Sequence, residues 1–247
     1  MPLLRCRPVK DWIFLGDAHF PPYHRDSWEP FLKLIEERRG QMEALVIMGD
    51  FFDFWFGFPD PSPLKEAYRE LIEGIEGLAE GGTEVLYMEG NHDFSIGRSI
   101  EGVRAYPISA EFLLDGRRVF VAHGDRFMGF PLYFLLKNPL SCKLISSLNP
   151  QLVTKVAFLW SRASRWMGMR RGVRKVAEGL RGFARQKIAQ GFDVVILAHT
   201  HLAEECPIEV GGRRGIYYNV GSWQELSFLL YRPREGFSLQ KFPYPRP

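Results

Sequence analysis

Five short apolar runs, each followed by an Asp, His or Asn, constrain this chain more than any other feature. The central one is Ala44-Leu45-Val46-Ile47-Met48, followed by Gly49-Asp50-Phe51-Phe52-Asp53. A run of that length bounded by a turn reads as a buried strand. Gly49 lets the backbone turn sharply where the strand ends. The pattern recurs elsewhere. Trp12 to Leu15 leads to Gly16-Asp17-Ala18-His19, Val85 to Met88 to Gly90-Asn91-His92-Asp93, Val119 to Ala122 to His123-Gly124-Asp125, and Val194 to Ala198 to His199-Thr200-His201. Five strand ends thus deliver seven ligand-type side chains, Asp17, His19, Asp50, Asn91, His123, His199 and His201, and the Asp50 carboxylate could bridge two cations among them.

Between these strands, residues 24–39 alternate at helical spacing, with Phe31, Leu32, Leu34 and Ile35 expected inward. The loop Phe54 to Pro63 holds four aromatics and three prolines, so no regular structure is expected there. Its aromatics read equally well as a wall beside the site or as a loop packed on the core. Leu64 to Ala79 reads as one helix stopped by Gly81-Gly82. Asp115-Gly116 and Gly211-Gly212 mark hairpins, and Ser227 to Tyr231 reads as a last strong strand. Alternating strands and helices early, with hairpins later, favour an α/β sandwich with helices outside the sheets.

Charge divides the chain. Residues 124–187 hold 13 Lys or Arg against 2 Asp or Glu, whereas the whole chain carries only +3. A basic segment in an otherwise acidic chain points to an anionic partner or to a solvated helical face. Asn149-Pro150 is a good helix start, with Leu152, Val156, Leu159, Trp160, Ala163 and Met167 on one face and Lys155, Arg162 and Arg165 on another. With 247 residues, 46% of them hydrophobic, the expectation is a single domain, 1–247, carrying a helical cap insertion at 126–190. The three cysteines, Cys6, Cys142 and Cys206, are widely spaced and odd in number, which suggests a reducing compartment. No signal-peptide pattern and no run of about 18 apolar residues is present, so a cytoplasmic location is expected.

Asp, His and Asn without cysteine suit Mn, Fe, Zn or Mg rather than a structural thiolate site. Two cations about 3.5–4 Å apart can activate a water and clamp phosphate oxygens. No nucleophile triad and no Gly-x-x-x-x-Gly-Lys-Ser/Thr loop is present. Together, Asp17-x-His19, Gly49-Asp50-x-x-Asp53, Gly90-Asn91-His92-Asp93, His123-Gly124-Asp125 and His199-Thr200-His201 resemble the calcineurin-like metallophosphoesterases. The resemblance implies a four-layer αββα sandwich with two divalent metal ions, Mn being the one expected. It implies Asp17, His19, Asp50 and His201 on one metal and Asp50, Asn91, His123 and His199 on the other. His92 would face the scissile phosphate as catalytic stabiliser or acid, and Asp93 would orient it. Ala198 stands where Gly is usual in that family.

Within the family the chain is similar to the UDP-2,3-diacylglucosamine pyrophosphatases of lipid A synthesis, through Gly49 to Trp55, Asp60-Pro61-Ser62-Pro63-Leu64 and the position of the insertion. His92 stands where the best-known members have Arg, and Phe127-Met128-Gly129-Phe130 where they have Cys-Thr-Asp-Asp. The resemblance implies a lipid-linked nucleotide substrate cut to lipid X and UMP, with Trp55, Arg162 and Arg165 as substrate contacts. The apolar and basic faces of residues 127–175 imply peripheral binding to an anionic membrane surface, on the inner face of the cytoplasmic membrane. No protein partner is indicated. A metallonuclease, a soluble nucleotide or phosphoprotein phosphatase and a non-catalytic module of the same fold are the rival readings. The bulk of Leu, Phe, Trp and Met among the arginines argues against a nucleic-acid groove.

Overall fold

The computed structural model describes residues 4–6, 8–97, 99–125 and 173–245. In chain order the strands are β1 Leu4–Cys6, β2 Asp11–Leu15, β3 Met42–Ile47, β4 Trp55–Phe56, β5 Glu84–Met88, β6 Asp93–Phe94, β7 Val103–Tyr106, β8 Ser109–Leu114, β9 Arg117–Ala122, β10 Val194–Leu197, β11 Ala203–Val210, β12 Arg213–Val220, β13 Ser227–Arg232 and β14 Gly236–Lys241. The helices are α1 Arg25–Glu37, α2 Ser62–Ala67, α3 Arg69–Glu80 and α4 Val173–Ala189.

Two six-stranded sheets form the middle of the molecule, in the orders β14-β13-β2-β3-β5-β7 and β1-β8-β9-β10-β12-β11. The apolar runs are continuous because these central strands are covered on both faces. Trp12, Phe14, Val46, Met48, Leu86 and Met88 meet Phe112, Val119, Val121, Ile196 and Val220 between the sheets. Ile13, Leu15, Leu45, Ile47 and Tyr87 point the other way, onto Phe31, Leu34, Ile35, Leu71 and Ile75 of α1 and α3. The outer face of the second sheet packs Phe120, Val195 and Leu197 on Leu180, Ala184 and Ile188 of α4. The result is the expected four-layer αββα sandwich.

Strand register sets where the ligand-type residues emerge. β2, β3 and β5 run parallel with Leu15 beside Ile47 and Ile47 beside Tyr87. β9 and β10 run parallel with Val121 beside Ile196. The carboxyl ends of these strands therefore lie in rows, and the loops beyond them define one crevice.

Several expectations are corrected. The loop at 54–63 is not irregular throughout: Trp55–Phe56 pairs in parallel with Asp93–Phe94, and Pro63 lies in the first turn of α2. Trp55 is fully buried, its ring 4.9 Å from Phe52 and 6.2 Å from Tyr68. It is core and offers no open face to a substrate. The helix expected from Leu64 to Ala79 is two, broken at Tyr68 (φ −124°). Periodicity could not reveal the break, because Leu64, Ala67, Leu71, Ile75 and Leu78 keep one apolar face across it. Strands β1, β7 and β14 are additional; β7 and β14 are half-buried for most of their length, which weakens the apolar signal. The cap expected at 126–190 does not extend to 190, because α4 is the fourth layer of the sandwich. The remainder of that cap, Arg162 and Arg165 included, lies outside the described residues.

Candidate metal centre

The ligand-type residues sit just past strand ends, and five of the seven adopt backbone that is unusual for their type. Asp17 (φ 50°), His19 (46°), Asp50 (50°), His199 (72°) and His201 (61°) are all left-handed. Non-glycine residues occupy that region rarely, and such strain collects at functional sites. At Gly49 (φ 85°) glycine is required twice over, since a Cβ would also lie 2.8 Å from Nδ1 of His123.

The side chains converge in two sets. In the first, His201 Nε2 lies 3.5 Å from Asp17 Oδ1 and 3.4 Å from His19 Nε2. In the second, His123 Nε2 lies 3.2 Å from His199 Nδ1, 3.4 Å from Asn91 Oδ1 and 3.5 Å from Asp50 Oδ2. The same Asp50 Oδ2 is 3.8 Å from His19 Nε2, so one carboxylate oxygen faces both sets. Its other oxygen accepts the backbone N–H of His92 at 2.9 Å, which fixes the plane of the carboxylate. Asp17, His19 and His201 offer ligand atoms all within 4.8 Å of one another, and so do Asp50, His123 and His199. The seven residues anticipated as ligands are therefore brought together.

The donor chemistry fits cations. His123 donates its Nδ1 proton to the carbonyl of Met48 at 2.8 Å, because a carbonyl can only accept. In the neutral ring its Nε2 is then a bare lone pair aimed at Asn91, Asp50 and His199. Backbone support of this kind orients metal-binding imidazoles. Asp17 Oδ1 is buried and has no hydrogen-bond partner among the described residues, while Oδ2 accepts from the His199 amide at 2.7 Å. Lone pairs facing lone pairs, with two buried carboxylates, call for positive charge. Without a cation, a proton meets part of that demand. Burial works against protonation of His123, but Asp50, with Asp17 and Asp125, holds its pKa up at about 10. Burial and then the neighbouring His123 push His199 down to about 3. Burial would raise Asp50, yet His123 and then His92 keep it well below the usual carboxylate range; burial does raise Asp17.

His92 borders the centre, its ring centroid 4.8 Å from that of His19. Its Nδ1 donates to the carbonyl of Asp53 at 3.1 Å, which fixes the ring beside the centre. Asp93, expected to orient His92, does something else. Its Oδ1 accepts from the amides of Asp50 and Gly90, each at 2.9 Å. Its Oδ2 accepts from the amides of Phe51 (2.6 Å) and Phe52 (3.2 Å) and from the Tyr87 hydroxyl (2.5 Å). Five donors thus lock the Asp50 loop around one buried carboxylate. Burial, then Asp50, raises the Asp93 pKa to about 6.

Two contributors had no role assigned from sequence. Asp53 was legible as the second carboxylate of Gly49-Asp50-x-x-Asp53; its carboxylate and the ring nitrogens of His19 and His92 lie within 4.8 Å of one another. Tyr87 carried no signal beyond its place in a strand.

The calcineurin-like phosphoesterase family matches residues 13–203. UDP-2,3-diacylglucosamine hydrolase of Azotobacter vinelandii is 28% identical over 239 residues, covering 94% of this chain and 98% of that protein. The hydrolase of the same name from Pseudomonas aeruginosa is 26% identical over the same shares. Among solved structures, Yfce, a phosphoesterase from E. coli, superposes with a TM-score of 0.50 at 18% identity, covering 94% of this chain and 93% of that one.

Proposed function

Because the chain belongs to the calcineurin-like phosphoesterases, we propose that it hydrolyses UDP-2,3-diacylglucosamine to UMP and 2,3-diacylglucosamine 1-phosphate. That it is a metallophosphoesterase follows from the family and from the two His/Asp clusters. The finer reading is carried by one observation: the likeness to UDP-2,3-diacylglucosamine hydrolases runs over 94% of the chain.

In this reading Asp17, His19, Asp50 and His201 hold one divalent ion, and Asp50, Asn91, His123 and His199 the other, with Mn as the expected metal. When bound, the pair supplies Lewis acidity toward phosphate oxygens and a nucleophile drawn from water at neutral pH. The chain's own part is placement. Asp50 Oδ2 sets the distance between the two ligand sets, and the Asp93 lattice keeps Asp50 from moving as charge develops. His92, held at Nδ1 by Asp53, presents Nε2 to the phosphate. As an imidazolium it would stabilise charge or protonate the leaving oxygen. The basic, apolar residues 126–172 follow ligand His123 in sequence and precede α4. We assign them the role of a cap that receives the acyl chains. Each buried methylene contributes about 0.8 kcal/mol there, and Arg162 and Arg165 meet anionic groups. The same composition supports association with an anionic membrane surface. No helix among the described residues is long and apolar enough to cross a membrane.

The test is hydrolysis in ¹⁸O-water with Mn²⁺, comparing the diacylated nucleotide with its deacylated form. Label is expected in UMP, and removal of the acyl chains is expected to lower kcat/KM sharply. Equal rates on both forms, or faster turnover of simple nucleotides or DNA, would replace this substrate with another phosphodiester.

A further inference from the structure

The end of β12 and the turn that follows it, residues 219–223, reach both ligand-bearing loops. Asn219 and Ser222 are 0% and 2% exposed. Ser222 Oγ donates to the carbonyl of Asp17 at 2.7 Å, and the Trp223 amide donates to the carbonyl of Gly16 at 2.9 Å. The amide of Asp17 itself donates to Gly49 at 3.0 Å. The peptides on both sides of this left-handed residue are thus tied down, two of the three ties coming from the turn. On the neighbouring loop, Asn219 Nδ2 donates to the carbonyl of Ala198 at 2.7 Å, directly before left-handed His199. Asn219 also donates to the Tyr217 hydroxyl at 3.2 Å and accepts from the Gly221 amide at 3.1 Å, so its amide orientation is fixed. The two loops then meet, His199 N–H to Asp17 Oδ2 at 2.7 Å. Gly221 (φ 75°) keeps the turn tight, since a Cβ there would come 2.8 Å from Ser227 Oγ and 2.9 Å from Ala203 Cβ.

We propose that Asn219 and Ser222 are positioning residues of the metal centre: Ser222 holds Asp17, a ligand of one set, and Asn219 holds His199, a ligand of the other, so this turn sets the spacing between the sets. Neither side chain belongs to a ligand set, and each acts through a backbone carbonyl. The inference rests on the metal assignment given under the proposed function.

The experiment is calorimetric titration of chelator-stripped full-length protein with Mn²⁺. It is paired with kcat and KM on bis(4-nitrophenyl) phosphate and with melting temperatures. Wild type is expected to take up two Mn²⁺; a wild type that takes up fewer overturns the metal assignment itself, on which the turn's role depends. With two sites in the wild type, Ser222→Ala is expected to weaken one Mn²⁺ by about 10-fold or more, the usual effect of losing a residue that orients a ligand. Ser222→Thr, which keeps the hydroxyl, is expected to recover wild-type affinity within about threefold. Asn219→Asp sets an oxygen against the Ala198 carbonyl and is expected to weaken the other Mn²⁺, with kcat falling and KM little changed. Wild-type Mn²⁺ affinity in Ser222→Ala and Asn219→Asp overturns the proposal, whatever their melting temperatures. So does equal weakening in Ser222→Ala and Ser222→Thr. If Ser222→Ala does not fold, Ser222→Cys, a weak donor of similar volume, takes its place with the same expected outcome.

Discussion

Asp50 divides its two oxygens between different tasks: Oδ1 takes the His92 amide, and Oδ2 stands between His19 and His123. Asp50→Ala is therefore expected to remove at least one metal ion and hydrolysis with it, as read by elemental analysis and by assay on a generic phosphodiester. Full activity of that variant after metal stripping and reloading would end the two-metal reading. His92 differs in kind, because its ring lies against His19 and is anchored by a backbone carbonyl. His92→Ala should keep its metals yet lose roughly 10²–10⁴-fold in kcat, the range for a lost acid or charge-stabilising donor. A variant that loses metal instead would make His92 a ligand. Tyr87 illustrates support at one remove, giving its hydroxyl proton to Asp93 at 2.5 Å in a fully buried place. Tyr87→Phe is expected to cost about 1.5–3 kcal/mol in denaturant unfolding, the range for a hydrogen bond to a charged group. A loss under about 0.5 kcal/mol would show that the four amide donors suffice.

At the scale of elements, the ligand-type side chains owe their convergence to parallel strands ending in register. Leu15, Ile47 and Tyr87 stand side by side in one sheet, and Val121 and Ile196 in the other. The tight Asp115-Gly116 turn (φ 46° and 81°) aligns β8 against β9, placing Ser109 opposite Ala122 at the edge from which His123 leaves. Helix α4 belongs to the same scaffold. Leu180 is fully buried between α4 and the second sheet, and a Cβ on Gly124, one residue after His123, would touch its methyl groups at 3.5 Å. Leu180→Ala is accordingly expected to destabilise the protein by about 2–5 kcal/mol, as cavities in a core do. A change under about 1 kcal/mol would return α4 to a separable cap.

For the whole molecule, the two sheets press their inner faces together and bring strand ends 182 residues apart in the chain, Asp17 and His199, into hydrogen-bond contact. Divalent cations at the two His/Asp clusters would hold the native arrangement, since the unfolded chain has no such site. At a hundredfold excess over its Kd, each bound ion adds about 2.7 kcal/mol. With roughly 2–4 °C per kcal/mol at this size, Mn²⁺ loading should raise Tm on the order of 10 °C over the chelated protein. Scanning calorimetry with Mn²⁺ and with EDTA checks this, and coincident transitions would refute it.

The residues that converge in the two sets were legible in the sequence because the pattern is written locally: an apolar run of strand length, then a turn, then Asp, His or Asn, five times over. Covering helices and hairpin turns were legible for the same reason, since period and turn chemistry are read between near neighbours. Tertiary structure alone decided the rest. It turned Trp55 inward against Phe52 and Tyr68, where sequence allowed a wall or a core. It gave Asp93 to the Asp50 loop in place of His92, and it set Asn219 and Ser222 behind ligands far away in the chain. It also made α4 a layer of the sandwich, although charge grouped that helix with the basic segment. Each of these depends on which buried group finds which partner once the sheets have packed. Buried polar atoms must find partners wherever the fold supplies them, and spacing along the chain does not say where that is.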